Sequence, residues 1–222
     1  MEIFASVVDH TLLDAAASPR DVDARCDEAA RLGFASVCLH PWWVERAVHH
    51  APGVRIGTVV AFPSGLDSTA GKIATAKAAI AAGAVELDVV MAWAVLAAGD
   101  DVAVGRDLTA VVDAVRRERE DVTVKIIVEA TQLDAAQLRA ACAVVAECGA
   151  DFAKTSTGTL GGARVDDVAA MRAALPKHIQ IKASGGIRTA EGAEALLTAG
   201  ADRLGTSSAL EILAELDVRA VA

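Results

Sequence analysis

Two lysines interrupt short apolar runs: Lys154 in Asp151-Phe-Ala-Lys-Thr-Ser-Thr-Gly158 and Lys182 in Ile179-Gln-Ile-Lys-Ala-Ser-Gly-Gly186. A turn rich in hydroxyls and glycine follows each. The chain carries six lysines against fifteen arginines, so arginine is its default cation. An amine can lose its proton and attack a carbonyl, which a guanidinium cannot do. A lone lysine at a strand end also has a plain structural explanation, its ammonium reaching out to water. Two in successive strand-turn units suggest instead a nucleophile and an electrostatic partner. An amine with a pKa of about 10.4 is a poor nucleophile at neutral pH, and a second ammonium with partial desolvation lowers that value.

The elements that must position these amines alternate strand and helix from end to end. Strands are expected at 6–9, 36–39, 55–60, 85–90, 122–129, 152–155, 180–183 and 203–205, with alanine-rich helical patterns between them. Ser18-Pro19 opens a helix that ends near Gly33, and Gly83, Gly149 and Gly200 each stand where a helix must stop before a strand. Eight such units in 222 residues, with no linker, predict one domain over residues 1–222, a compact (β/α)8 TIM barrel. The rival, an open doubly wound sheet, lacks a G-x-G-x-x-G after the first strand.

In a barrel the chemistry gathers where strands end. The predicted ends supply Asp9, Cys38, Asp88, Lys154, Lys182 and Gly205-Thr-Ser-Ser208. Lys154 and Lys182, on adjacent strands, form the pair; Asp88 can accept and return protons directly or through a water, or simply pair with a lysine. Lys125, near the start or middle of strand five, is not expected to take a covalent role. Ser184-Gly-Gly-Ile-Arg-Thr189 after strand seven and Gly205-Thr-Ser-Ser208 after strand eight each open a helix, where glycine backbone and helix dipole suit a phosphate. His10 either orients Asp9 or is structural. His49-His50 read as a solvated helix end, and Trp42-Trp43 as packing or oligomer contacts.

Bulk properties narrow the partners. Hydrophobic residues make up 54% of the chain and mean hydropathy is +0.39, yet charges break every long apolar run, so no membrane span is expected. No basic segment precedes an apolar stretch at the N-terminus, so no secretory signal is expected. A net charge of -9 with interspersed signs argues against nucleic acid and anionic membranes. Cys26, Cys38, Cys142 and Cys148 show no metal-binding spacing and read as free thiols of a reducing cytoplasm.

Taken together, these segments resemble the 2-deoxyribose-5-phosphate aldolase family. The resemblance rests on Asp9-His-Thr-Leu-Leu13, Val37-Cys-Leu-His-Pro41, Val59-Val-Ala-Phe-Pro-Ser-Gly65, Gly83-Ala-Val-Glu-Leu-Asp88, Lys125-Ile-Ile-Val-Glu129, both lysine motifs and Arg203-Leu-Gly-Thr-Ser-Ser208. It implies a class I aldolase in which Lys154 forms a Schiff base, Lys182 depresses its pKa and Asp88 relays protons. It further implies that Asp9 and Thr11 bind substrate hydroxyls, that Gly158, Gly185, Gly186, Ser207 and Ser208 bind phosphate, and that neither metal nor organic cofactor is used. The partners implied are a sugar phosphate and aldehydes, in a homodimer or homotetramer. The chain departs from the family pattern at Thr159-Leu160, where a lysine or bulky aromatic is common. It also has no tyrosine, which closes the route through a C-terminal tyrosine seen in some members; the end here is Asp217-Val-Arg-Ala-Val-Ala222. A lysine-dependent barrel aldolase for another sugar or keto-acid phosphate, and a non-catalytic sugar-phosphate sensor, are the competing readings.

Overall fold

The computed structural model describes residues 2–221. Eight parallel strands close on themselves in sequence order: β1 Val8–Leu12, β2 Ser36–Leu39, β3 Ile56–Val60, β4 Glu86–Val90, β5 Thr123–Ile127, β6 Phe152–Lys154, β7 Gln180–Ser184 and β8 Arg203–Thr206. The helices are α1 Glu2–Ala5, α2 Pro19–Leu32, α3 Val44–His50, α4 Thr69–Ala81, α5 Trp93–Ala97, α6 Asp101–Glu118, α7 Ala135–Glu147, α8 Val165–Ala174, α9 Ala190–Thr198 and α10 Ala209–Val221. The C-terminal tail therefore continues α10, with Ala222 outside the described residues. Pairing of β1 with β8 closes the (β/α)8 barrel and leaves no sheet edge.

The helix punctuation is local and physical. Ser18 caps α2 and forms a capping box with Asp21, while Gly33 ends the helix in the left-handed conformation at φ 72°. Such an N-cap is worth about 1 kcal/mol. Gly83, Gly149 and Gly200 take φ values of 102°, 80° and 111° directly after α4, α7 and α9. Any other residue there would strain the backbone that turns each helix back toward the sheet.

Alternation along the strands separates two environments. Outward residues such as Val37, Leu87, Val124, Ile126, Ile181 and Leu204 are fully buried under the helices and build the hydrophobic layer. The inward side carries charge: Asp9, Glu86, Asp88, Lys125, Lys154 and Lys182 are all buried. The first strand is displaced from its predicted position, starting at Val8 and running through Thr11 and Leu12. Its polar Asp-His-Thr run looks unlike a strand because two of those residues face a polar interior. His10, between them, points outward against Phe34, with ring centroids 4.6 Å apart, and its Nε2 lies 2.6 Å from Glu28. It is thus a structural histidine, turned away from the Asp9 carboxylate.

Candidate active site

Adjacent strands deliver the two lysines side by side. Lys154 ends β6 and pairs in register with Lys182, the middle residue of β7. Both amines reach one oxygen: Lys154 Nζ donates to Asp88 Oδ2 at 2.8 Å, and Lys182 Nζ to the same atom at 2.7 Å. Asp88 sits in the centre of β4 rather than at its end, because the strand runs on to Val90. Asp9 is likewise the second residue of β1, deep in the barrel, not at the mouth.

Asp9 Oδ2 lies 2.6 Å from Lys182 Nζ and its Oδ1 lies 2.6 Å from Arg203, so the carboxylate anchors cations and does not line the open cavity. Lys125, set apart on sequence grounds, proves central. It is the middle residue of β5, donates to Asp88 Oδ1 at 3.0 Å and to Glu86, and lies 3.6 Å from Asp9. Glu86 also pairs with Arg55 at 3.0 Å and Arg203 at 3.6 Å. Sequence reading missed Glu86, Arg203 and this role of Lys125. The available signal was period two: Glu86 and Asp88 occupy one face of β4, and Lys125 stands beside Asp88 in register.

Counting the interior charges sets one amine apart. The three carboxylates Asp9, Glu86 and Asp88 match three cations, Lys125, Lys182 and Arg203. Lys154 is the surplus cation. Lys125 touches three carboxylates and Lys182 touches two, whereas Lys154 shares the single oxygen of Asp88 with Lys182. Burial pushes the Lys154 pKa below the ordinary lysine value; Asp88 opposes that shift and the Lys182 ammonium adds to it. Burial also disfavours the charged form of Lys182, but Asp88 and Asp9 outweigh it and raise its pKa. Asp88 resists burial in the same way: Lys125, Lys154 and Lys182 hold it well below the usual carboxylate range. Desolvation is thus the larger cause at Lys154, with the second ammonium reinforcing it. Buried charges of this kind are costly unless fully paired, and here the pairing leaves one amine to give up its proton.

Two neighbours complete the geometry. Gly205 of β8 makes room for Lys182: a Cβ there would sit 2.8 Å from Lys182 Cε and 2.9 Å from Ser184 Cβ. Cys38 faces Asp88 with its Sγ 3.9 Å from Oδ2, and burial pushes the thiol up to about 11, so it stays protonated. All four cysteines are free and buried.

Above the lysines opens a cavity of about 490 Å3. Lys154 forms its floor, and Thr11, Gly158, Gly185, Gly186 and Ser207 line its wall together with Arg188 of the Ser184–Thr189 loop and with Leu13, Asp14 and Phe62, which the sequence reading had not singled out. Thr11 donates its hydroxyl to the Asp9 carbonyl at 3.0 Å, leaving its lone pairs for the cavity. The glycine loops are packed to near contact: a Cβ on Gly185 would lie 2.9 Å from Gly158 Cα and 3.1 Å from Gly162 Cα. Ser208 is not among the cavity-lining residues, and its N–H donates to Thr206 Oγ1 at 2.9 Å. A groove of about 590 Å3 between α6 and α7 is larger but contains no lysine, so chemistry favours the mouth.

Four further residues fall away from the site. His49 and His50 end α3, and His50 reaches Asp27 at 2.9 Å. Of the tryptophans, Trp43 packs on the core and Trp42 is 84% exposed.

The closed (β/α)8 barrel thus holds a carboxylate-linked lysine of lowered pKa beneath a glycine-lined mouth. The family profile described as DeoC/LacD family aldolase matches residues 3–214, and the chain belongs to that aldolase family. It is 42% identical over 212 residues to a deoxyribose-phosphate aldolase of Geobacillus sp. (strain WCH70), covering 94% of each chain. A second such aldolase, from Thermoanaerobacter sp. (strain X514), is 41% identical over 214 residues, covering 95% of this chain and 96% of the relative. Among solved structures, the tetrameric deoxyribose phosphate aldolase from Aeropyrum pernix superposes with a TM-score of 0.91 at 34% identity, covering 97% of this chain and 92% of that one.

Proposed function

We propose that this aldolase cleaves 2-deoxy-D-ribose 5-phosphate reversibly to D-glyceraldehyde 3-phosphate and acetaldehyde through a Schiff base on Lys154, in deoxyribose catabolism. The observation that carries the reading is that Lys154 alone of the three buried interior lysines has its pKa driven down, while resting on the floor of the cavity.

In this reading the Lys154 amine attacks C1 of the open-chain sugar, and loss of water from the carbinolamine gives a protonated imine. The proton leaving nitrogen has Asp88 Oδ2 at 2.8 Å, and Lys182 shares that oxygen. Because the Lys125 and Lys182 ammonium groups hold Asp88 ionised, it passes protons on and does not store them. Removal of the C3 hydroxyl proton breaks the C2–C3 bond, and its electron pair moves to the iminium nitrogen. Glyceraldehyde 3-phosphate leaves, and an enamine remains. Protonation of that enamine at its terminal carbon and hydrolysis of the resulting iminium release acetaldehyde and restore the amine.

Thr11 receives a substrate hydroxyl, while Asp9 acts one layer lower by fixing Lys182. The phosphate lies against Gly158, Gly185, Gly186 and Ser207, with Ser208 at the start of α10 behind them. Arg188 lines the same cavity and supplies a cation where Thr159 supplies none. The reaction uses this chain's own side chains, without metal or organic cofactor. The same reading makes residues 1–222 one domain that assembles as a homodimer or homotetramer in the cytoplasm, with no nucleic-acid or membrane partner; among the described residues no helix is long and apolar enough to cross a membrane.

A panel of aldehyde and keto sugar phosphates, with glyceraldehyde 3-phosphate and acetaldehyde measured as products, tests the substrate. Release of both from 2-deoxyribose 5-phosphate supports the assignment. Cleavage of a different sugar or keto-acid phosphate only would replace it, and tight binding without turnover of any substrate would favour a sensor.

A further inference from the structure

A guanidinium on α2 reaches the loop after β8, at the seam where β1 and β8 close the barrel. Arg25 Nη1 donates to the Ser207 carbonyl at 3.2 Å. What orients it comes from β1 and from the next turn of α2. The fully buried His10 has its Nε2 2.6 Å from Glu28 Oε2, and Arg25 Nη1 stands 3.1 Å from both ring nitrogens. A carboxylate only accepts, so the ring proton is on Nε2 and the lone pair on Nδ1. A guanidinium only donates, so one Nη1 proton serves that lone pair and the other serves Ser207. Glu28 Oε2 also lies 3.9 Å from Arg25 Nε, which sets the carboxylate against the same guanidinium.

The peptide unit between Ser207 and Ser208 is thereby held at both ends. Its carbonyl faces Arg25, and its N–H donates to Thr206 Oγ1 at 2.9 Å. Thr206 gives its own hydroxyl proton to the Ile187 carbonyl at 2.7 Å, which ties the unit to the loop after β7. Ser207 lines the cavity, and its hydroxyl makes no hydrogen bond among the described residues. Arg25 does not line the cavity, so it acts on a ligand only through this loop. The direction of the carbonyl matters because a phosphate and a carbonyl oxygen are both acceptors, with no proton to share between them. Turned inward, that oxygen would oppose an anion; drawn out toward α2, it does not.

We propose that Arg25, oriented by His10 and Glu28, is a positioning residue for phosphate binding: it holds the Ser207 carbonyl away from the cavity, so that the loop after β8 meets the substrate phosphate with a hydroxyl and not with a carbonyl oxygen. The proposal rests on the aldolase reading above, which seats the phosphate at Ser207. It gives the outward face of β1 a part in the site, since His10 shapes the cavity wall from behind through Arg25.

Steady-state kinetics of wild type and Arg25→Leu on 2-deoxyribose 5-phosphate and on unphosphorylated 2-deoxyribose test it. In Arg25→Leu the KM for the phosphorylated sugar rises about 2- to 10-fold, the size of one hydrogen bond, with kcat nearly unchanged. The kcat/KM for the unphosphorylated sugar stays at the wild-type value. The difference persists at about 1 M sodium chloride, where the Debye length is about 3 Å and a distant charge no longer attracts an anion. An equal loss on both sugars, a loss in kcat alone, or no change overturns the proposal. So does a difference that vanishes at high salt, which would make Arg25 a remote charge and not a hold on the loop. If Arg25→Leu does not fold, Arg25→Gln, too short to reach Ser207, decides by the same comparison. A wild type inactive on both sugars refutes the functional reading itself and this assignment with it, an outcome distinct from any change in the variants.

Discussion

At Lys182 the same ammonium is asked to do two things, to neutralise Asp9 and Asp88 and to make Lys154 less basic. Replacing it with methionine separates these. In Lys182→Met the two carboxylates lose a partner, so a proton on Lys154 becomes favourable and the fraction of free amine at neutral pH falls. Activity at pH 7 should drop by ~10²-fold or more and recover partly as pH rises toward the ordinary lysine range. A pH-independent loss would show that Lys182 acts by contact and not by charge. The sign for wild type follows from the same shift: because the Lys154 pKa lies below its ordinary value, imine formation speeds up as pH rises through that lowered value and levels off before about 10.5. The lysine pair was legible in the sequence because lysine is scarce in this chain and an ammonium is foreign to an apolar strand. Lys125 was legible as an oddity but not as a partner, since its importance depends on register with Asp88 across two strands. Asp9 was recognisable as unusual, yet a shift of β1 by two residues moved it from the mouth to the interior.

Strands and loops impose the next level of constraint. Gly205 sits in β8 directly against the Lys182 stem, so Gly205→Ala forces a methyl group to within 2.8 Å of Cε. Overpacking of this kind costs about 1–3 kcal/mol, which in a chain of this size lowers Tm by roughly 2–4 °C per kcal/mol. Activity should fall further than stability, because the lysine stem must swing away from Asp88 and Asp9. Thermal melts alongside turnover check this; a variant with normal turnover and lowered Tm would show that Lys182 tolerates displacement. The glycine-rich loops after β7 and β8 could be read in sequence from their helix-opening pattern, and the helix stops from their glycines. The hold of Arg25 on Ser207 could not, because nothing in a one-dimensional pattern reveals which carbonyl a guanidinium on α2 will meet. Ser208 illustrates the converse. Its motif fits a phosphate loop, but Thr206 already occupies its N–H.

For the whole molecule, the barrel divides stability between an apolar layer outside the strands and an ionic lattice inside them. Acid should loosen the molecule first at His10. Burial, opposed by Glu28 and reinforced by Arg25, lowers its pKa from 6.5 to about 4, so the unfolded chain binds a proton before the folded one. The stability conferred by neutral His10 is complete above about pH 6.5 and is lost toward pH 4, with a slope of up to ~1.4 kcal/mol per pH unit. Asp9 and Asp88, held below 3.8, lose their contribution only in stronger acid. Lys125 and Lys182, raised above 10.5, keep theirs until strong alkali. Denaturant titrations at pH 7 and pH 5 should therefore show lower stability at pH 5 in wild type and a smaller difference in His10→Asn. Equal differences in the two proteins would place the acid-sensitive group elsewhere. The eightfold alternation made the closed architecture readable from end to end. The interior lattice was less readable, since a pairing code of three carboxylates against three cations exists only once the barrel closes.

That lattice makes one central claim, that Lys154 is the amine left free. Borohydride reduction in the presence of 2-deoxyribose 5-phosphate, followed by intact-mass measurement and peptide mapping, tests it directly. A single reduced adduct on Lys154, absent from Lys154→Arg, is the predicted result. An adduct on Lys182 or Lys125, or none in folded protein that turns the sugar over, would contradict it.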